Sequence, residues 1–333
     1  MNFGIIGTNF ISDWFINAGR RCEGFHVQAV YSRTMEKGRV FADKHGIPDC
    51  YDSLEALAKA EDVDAVYIAS PTACHASQSI QMMRAGKHVL CEKPVASNER
   101  ELQAMLQAAE SHGVVFMEAM KLVINPAFDA IVENLPKLGK IRRVTFQMCQ
   151  YSSRYDKFKN GIIENAFRPE LSNGSLMDIG VYCVHPMVKI MGKPDRVMAS
   201  CVKLHNGVDG MGTILAAYEE QGAQAELIYS KITDSPVPSQ IQGEEGTMYI
   251  ESLPIITKVQ IRYRDKSRED ITFDLEDPGN NMNYEIAEFM RIADSGETAT
   301  EHNRYSVWEM QVMDEARRQM GIVFPADKEE TEE

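Results

Sequence analysis

The sequence predicts a doubly wound α/β domain followed by an α+β domain built on a large, open, mostly antiparallel sheet. Three observations carry this reading. The first third alternates short apolar runs with amphipathic stretches, the pattern of a parallel sheet wrapped by helices. From about Ile141 the strand-like runs follow one another, with turn residues between them. A chain of 333 residues has room for about two domains of roughly 150 residues each.

The elements follow in order. Residues 3–6 read as a strand and 11–19 as a helix. Residues 25–31 are a strand, 35–45 a helix closed by Gly46, and 54–60 a short helix. Strand 65–69 leads to helix 75–85, which Gly86 closes, and then to strand 88–91. Helix 99–112 ends at Gly113, a common left-handed cap, and strand 114–117 follows. The second rhythm places strands at 143–150, 196–204, 213–218, 224–229, 239–243, 246–251, 257–263 and 268–273. Asn206-Gly207 and Gln221-Gly222 mark turns between them. Helical periodicity returns at 284–295 and 304–320. The methionines of 310–320 have helical spacing and read as packing. The predicted division is 1–120, a dinucleotide-binding domain; 121–322, an α+β domain for substrate and oligomer contacts; and 323–333, a frayed acidic tail.

Composition excludes several classes. A formal net charge of -14 argues against nucleic acid, which needs a basic face. No apolar run approaches the ~18 residues of a membrane span. The start of the chain has no basic region or cleavage site, so a leader is not expected. Seven cysteines, scattered and without a CxxC pair, fit reduced thiols in the cytoplasm and predict no metal site.

The motifs gather at predicted strand ends. Gly4-Ile5-Ile6-Gly7-Thr8-Asn9-Phe10-Ile11-Ser12 is strand, turn and helix start, near the G-x-G-x-x-G/A fingerprint of dinucleotide sites. Asn9 stands at the second glycine position, where tolerance of positive φ is the expected reason. Helix N–H groups there would face a pyrophosphate. A non-binding strand–helix turn fits the same residues equally well. The next strand ends Tyr31-Ser32-Arg33. No acid stands there to read a ribose hydroxyl. Ser32 and Arg33 suit a 2′-phosphate, so NADP is expected over NAD. Ser70-Pro71-Thr72-Ala73-Cys74-His75 would wall the same crevice, with His75 shaping the turn or else capping or packing a helix, and Pro71 equally simple turn punctuation. Cys91-Glu92-Lys93-Pro94 closes a strand on a lysine. A buried ammonium must be paired or functional, and ligands of open α/β sheets lie at the strands' carboxyl ends.

Together with Met117-Glu118-Ala119 and Gly174-Ser175-Leu176-Met177-Asp178-Ile179-Gly180-Val181-Tyr182, these residues resemble the glucose-fructose oxidoreductase, inositol dehydrogenase and rhizopine-catabolism (Gfo/Idh/MocA) family. The resemblance covers nearly the whole chain. It implies a Rossmann domain, a second α+β domain, and a homodimer or larger assembly through the open sheet. It also implies a cofactor site at Gly7, Thr8, Asn9, Phe10, Ile11, Ser32, Arg33, Ser70, Pro71, Thr72, His75, Glu92, Lys93 and Glu118. Lys93 matches the lysine beside the nicotinamide. Asp178 and Tyr182 match the acid and the proton-transfer residue. Tyrosine at the latter position resembles the branch of glucose-fructose oxidoreductase, dimeric dihydrodiol dehydrogenase and NADP-dependent xylose dehydrogenase.

The residues carry a physical reading as well. Asp178 and Tyr182 are four apart and share a face on a helix. Gly174 and Gly180 would leave room for backbone close to a ligand. A free tyrosine titrates near ~10, and a neighbouring Lys93 would favour its phenolate. The expected unit is Tyr182 as acid/base, assisted by Lys93.

The substrate side departs from that branch, with Val123 and Asn125 where it often carries Arg and His. Lys121 either faces substrate or sits at the surface. His185, three residues after Tyr182, is a second proton-transfer candidate or a histidine bonded to backbone. Tyr151–Lys159 reads as a flexible loop over the site, with Arg154 a substrate contact, or as an ordinary surface connection. The expected activity is hydride transfer between NAD(P) and a sugar, polyol or related hydroxy/carbonyl compound. The alternatives are a nucleotide-binding sensor on the same fold and a trans-dihydrodiol dehydrogenase.

Overall fold

The computed structural model describes residues 1–275 and 279–328. The first stretch runs β1 Asn2–Ile6, α1 Phe10–Gly19, β2 His26–Tyr31, α2 Met35–His45, β3 Asp49–Tyr51, α3 Leu54–Ala58, β4 Ala65–Ile68, α4 His75–Arg84, β5 His88–Glu92, α5 Glu99–His112 and β6 Phe116–Ala119. Next come α6 Pro126–Asn134, β7 Ile141–Cys149, α7 Tyr155–Lys159, α8 Val181–Met191 and strands β8 Arg196–Lys203, β9 Asp209–Tyr218, β10 Ala223–Ser230, β11 Ser239–Gly243, β12 Gly246–Ile250, β13 Lys258–Tyr263 and β14 Ile271–Asp274. Helices α9 Met282–Ser295 and α10 Thr300–Met320 complete the long elements.

The chain forms two compact units. The first joins Met1–Lys121 with Gly279–Val307; the second joins Leu122–Pro278 with Trp308–Glu333. The linear division at residue 120 therefore needs correction, because α9 returns to the first unit. The physical reason is a shared core. Phe289 of α9 is fully buried and packs on Phe3 of β1 at 6.0 Å between ring centres. Phe3 also meets Phe15 at 5.4 Å and Phe25 at 5.0 Å. Each fully buried ring contributes about 1.5–3 kcal/mol. At the start of α9, Asn280 Nδ2 donates to the Trp14 carbonyl at 2.6 Å.

In the first unit six strands lie parallel in the order β3-β2-β1-β4-β5-β6. The order reverses between β1 and β4, the switch point where such sheets bind ligands.

The second unit is an eight-stranded sheet, β14-β13-β12-β11-β7-β10-β9-β8. It is antiparallel except where β10 runs parallel to β7. Burial alternates residue by residue along β12, so one face is covered. Helix α8 packs against β7 and β10. The expected flexible loop at 151–159 contains a helix, α7. Phe158 and Phe167 bury its apolar side at 5.2 Å between ring centres. The tail also needs correction where it is described. Asp327 pairs with Arg317 at 2.6 Å instead of fraying. Residues 329–333 of that expectation lie outside the described residues. No helix among the described residues is long and apolar enough to cross a membrane.

Candidate active site

The first unit builds its site at the carboxyl ends of β1, β2, β4, β5 and β6. Gly7 ends β1 at φ +114°, and a Cβ there would lie 2.7 Å from the Ala69 carbonyl oxygen after β4. A side chain is excluded by backbone. Thr8 follows, half-buried, and Phe10 and Ile11 open α1. Asn9 does not use a left-handed backbone, since its φ is -102°. Its Oδ1 accepts from Ile11 N–H at 3.0 Å, an N-cap, and its Nδ2 donates to the Ala69 carbonyl at 2.9 Å. Asparagine thus replaces a fingerprint glycine because it clamps the turn to β4. Ser12, fully buried, donates to the Gly7 carbonyl at 2.9 Å. The Asn9 and Phe10 N–H groups keep no partner among the described residues, so the helix end offers donors to an anion.

Ser32 is buried, and its N–H donates to the Tyr51 carbonyl at 3.0 Å. Arg33 is exposed at the end of β2 and makes no hydrogen bond or ion pair among the described residues. Gly7, the α1 donors and Arg33 fit a dinucleotide carrying a 2′-phosphate.

Lys93 is half-buried at the end of β5, and the Lys93–Pro94 bond is cis. Its surroundings are fixed by three side chains. His75, buried after the Ser70-Pro71-Thr72 turn, contacts the Pro94 carbonyl at 3.0 Å and the Ser70 carbonyl at 2.9 Å. Burial lowers its pKa. Glu118 of β6, also buried, accepts from Val95 N–H at 3.0 Å and from the Ser306 hydroxyl at 2.6 Å. Ser70 donates to Gln78 at 2.6 Å. Glu118 and His75 therefore brace the turn that carries Lys93.

Glu92 takes the Tyr67 hydroxyl on Oε1 and the Lys93 N–H on Oε2 at 3.3 Å. Burial pushes its carboxyl up, while Tyr67 and Lys93 pull against that. Tyr67 is fully buried and stacks on Phe15 at 3.7 Å. Glu285 of α9 is buried as well, and its carboxyl is pushed well up by desolvation and by Glu92. Lys121 is not a surface lysine. It is half-buried, with Nζ 5.2 Å from the Trp14 ring centre, and burial lowers its pKa against the pull of Glu285 and Glu92.

The second unit carries Asp178 and Tyr182. Leu176–Gly180 is a π-type turn leading directly into α8. The wider turn alters the simple four-residue face expected of Asp178 and Tyr182. Tyr182 lies half-buried in the first turn of α8. Pro186, inside the helix, has no N–H for the Tyr182 carbonyl four residues back. Helix irregularity therefore brackets the tyrosine.

Gly174 and Gly180 leave room for packing within the unit. A Cβ at Gly174 would meet Asp209 Oδ1 at 2.2 Å, and one at Gly180 would meet Leu176 at 2.9 Å and Tyr229 at 3.1 Å. Asp209, fully buried, accepts from Leu176 N–H at 2.6 Å. Desolvation pushes its carboxyl up to about 6. Asp178 is an ion-pair partner of Lys231.

His185 bonds a buried side chain: its Nδ1 lies 2.6 Å from Glu309 Oε2, with both residues buried. Arg154 is half-buried and pairs with Glu164 at 3.3 Å. Lys157 pairs with the same carboxylate at 2.5 Å, and Lys159 with Asp156 at 2.7 Å. Each cation of the basic cluster thus has a carboxylate partner.

Sequence reasoning missed Tyr67, Asp209, Lys231 and Glu285. Tyr67 and Lys231 are charged or polar groups at strand ends, the signal that exposed Lys93. Asp209 and Glu285 had no comparable signal.

Comparison with known proteins agrees with this architecture. The Gfo/Idh/MocA model described as an oxidoreductase family with NAD-binding Rossmann fold matches residues 1–120, and the model of the C-terminal domain matches 136–249. An NADP-dependent scyllo-inositol 2-dehydrogenase of Bacillus subtilis is 47% identical, covering 98% of this chain and 99% of the relative. A trans-1,2-dihydrobenzene-1,2-diol dehydrogenase of Danio rerio is 28% identical over 99% of each chain. A solved 3-ketoreductase from Actinomadura kijaniata, in complex with NADP and TDP-benzene, superposes with a TM-score of 0.86 at 23% identity, over 96% of this chain and 98% of that one.

Proposed function

The chain belongs to the Gfo/Idh/MocA oxidoreductase family, and we propose that its substrate is a polyhydroxylated ring of the inositol or sugar class. It is an NAD(P)-dependent dehydrogenase acting on CH–OH groups, with NADP as the favoured cofactor. The cofactor, when bound, takes up or gives the hydride.

The remaining chemistry falls to the protein. Gly7, Asn9 and the start of α1 would hold the pyrophosphate, with Thr8, Phe10 and Ile11 in the same turn, and Arg33 beside Ser32 the 2′-phosphate. The Ser70-Pro71-Thr72 turn, His75 and Glu118 would support the cofactor by shaping the crevice. Tyr182 would take the proton of the reacting hydroxyl during oxidation and return it during reduction. Lys93 would favour the phenolate that does so. Asp178 would bind the same substrate. The carrying observation is Lys93 braced at the end of β5 by Glu92, His75 and Glu118, in a chain 47% identical over nearly its full length to an NADP-dependent cyclitol dehydrogenase. The weaker 28% likeness to a dihydrodiol dehydrogenase ranks an aromatic diol below a cyclitol.

We assign the chain to the cytoplasm, in keeping with its seven free cysteines. Its assembly would be a homodimer or larger through the second unit's open sheet. Met198 and Leu215, paired across β8 and β9, are 47% and 38% exposed, and Val202 is 51% exposed. That row is apolar surface for a second copy.

The test is NADP reduction with scyllo-inositol, myo-inositol, xylose, glucose and a trans-dihydrodiol. Turnover should be highest with a cyclitol or sugar. Lys93→Met and Tyr182→Phe should each lower kcat about 100-fold or more, with NADP affinity near that of the unaltered chain. Tight NADP binding without turnover of any substrate would move the assignment to a sensor. Full turnover in both variants would remove the proposed acid/base pair.

A further inference from the structure

We propose that Lys231 is a positioning residue that holds the partly accessible Asp178 carboxylate ionised and in place, so that Asp178 accepts a hydrogen bond from a substrate hydroxyl. The inference rests on the reading that Asp178 serves the substrate.

Lys231 follows β10 and is 3% exposed. Its position is fixed from several sides. Its N–H donates to the Gly210 carbonyl at 2.9 Å, and its carbonyl accepts from Ser152 N–H at 2.9 Å. Its Nζ donates to Asp178 Oδ2 and stands 4.9 Å from the Phe167 ring centre. Phe167 is itself fully buried among Phe158, Ala166 and Val208. The ammonium is thus held between a ring and a carboxylate, with little freedom to move.

The pair is asymmetric. Lys231 keeps 3% of its side chain exposed and Asp178 keeps 31%. The cation is buried, and the carboxylate keeps part of its surface accessible. A buried ammonium is costly unless paired, and here its partner is the more accessible group. An ionised carboxylate is acceptor-only, which complements the hydroxyl donors of a polyol. A cation at hydrogen-bond distance favours that ionised form.

Other titratable groups on the neighbouring elements have separate places. Asp209 on β9 feels the Lys231 charge but is fully buried, bonded to Leu176 N–H. Tyr229 on β10, Cys149 on β7 and Cys183 on α8 are held neutral by burial. His185 on α8 bonds Glu309. Tyr182 stands four residues after Asp178.

The experiment uses the full chain with NADP and the best polyol from the substrate screen. Lys231→Met should raise KM for the polyol about tenfold or more and move the acid limb of kcat/KM to higher pH. The Kd for NADP, read from nicotinamide fluorescence, should stay within about twofold. Lys231→Arg should restore most of the loss, because it keeps the cation. In an Asp178→Asn background, Lys231→Met should add little. If Lys231→Met does not fold, Phe167→Leu replaces it, and its expected effect is a smaller rise in KM in the same direction. Unchanged KM and pH profile in a folded Lys231→Met chain, with Asp178→Asn impaired, would overturn the positioning role alone. Unchanged KM in Asp178→Asn would overturn the reading of Asp178 and this inference with it.

Discussion

Arg33 is the side chain on which the proposed choice of NADP over NAD turns. It stands exposed at the end of β2 with no ion-pair partner among the described residues, so its guanidinium keeps its full donor set for a phosphate. Arg33→Ala should raise the Kd for NADP about tenfold or more and leave that for NAD within about twofold. Titrating both cofactors and following nicotinamide fluorescence measures this. Equal losses for both would remove the 2′-phosphate role. The placement of Arg33 was legible because strand ends are predictable from apolar runs. The reason for Asn9 was not. Its bond to Ala69 joins residues 60 positions apart, and local preference for positive φ suggested another explanation. Lys231 was equally hidden. Its pairing with Asp178 across 53 positions depends on which strand ends meet.

At the scale of elements, the π-type turn Leu176–Gly180 is where packing meets the proposed substrate residue Asp178. The turn fits only because Gly174 leaves space for Asp209 and Gly180 for Tyr229. Gly174→Ala places a Cβ 2.2 Å from Asp209 Oδ1 on a backbone at φ +158°. The expected cost is about 2–3 kcal/mol of stability, with kcat falling while NADP affinity stays near normal. Denaturant unfolding and steady-state kinetics check both parts. Unaltered stability and turnover would show that the turn relaxes freely. Regular elements were far easier to read than this one. Helices Met35–His45 and Glu99–His112 stand where their caps and periodicity placed them. Strand Asp49–Tyr51 has three residues, too few for a periodic signal. Helix Pro126–Asn134 has a legible start, Asn125 as cap and Pro126 in the first turn. The parallel pairing of β7 and β10 joins strands far apart in sequence, which no local pattern encodes.

At the scale of the whole molecule, charge and burial set how stability varies with pH. The chain carries a formal net charge of -14, so mild acidification relieves self-repulsion. Against this, paired carboxylates such as Glu315, held down to about 2 by Arg318, lose their favourable contacts only at much lower pH. Asp209 acts in the intermediate window. Its carboxyl is pushed from 3.8 up to about 6 by burial. Between those values the folded chain holds a proton that the unfolded chain has released. The group therefore adds stability as pH falls through about 6, and the gain is complete below 3.8. A displacement of this size is worth about 3 kcal/mol. Asp209→Asn keeps an acceptor for the Leu176 N–H but cannot titrate. The Tm of the unaltered chain minus that of the variant should rise by about 2–5 °C between about pH 7.5 and pH 5. The global charge effect is nearly common to both chains and largely cancels in this difference. A difference that stays constant across that range would mean that Asp209 titrates alike in the folded and unfolded chain, and the buried carboxylate would then have no part in the pH dependence.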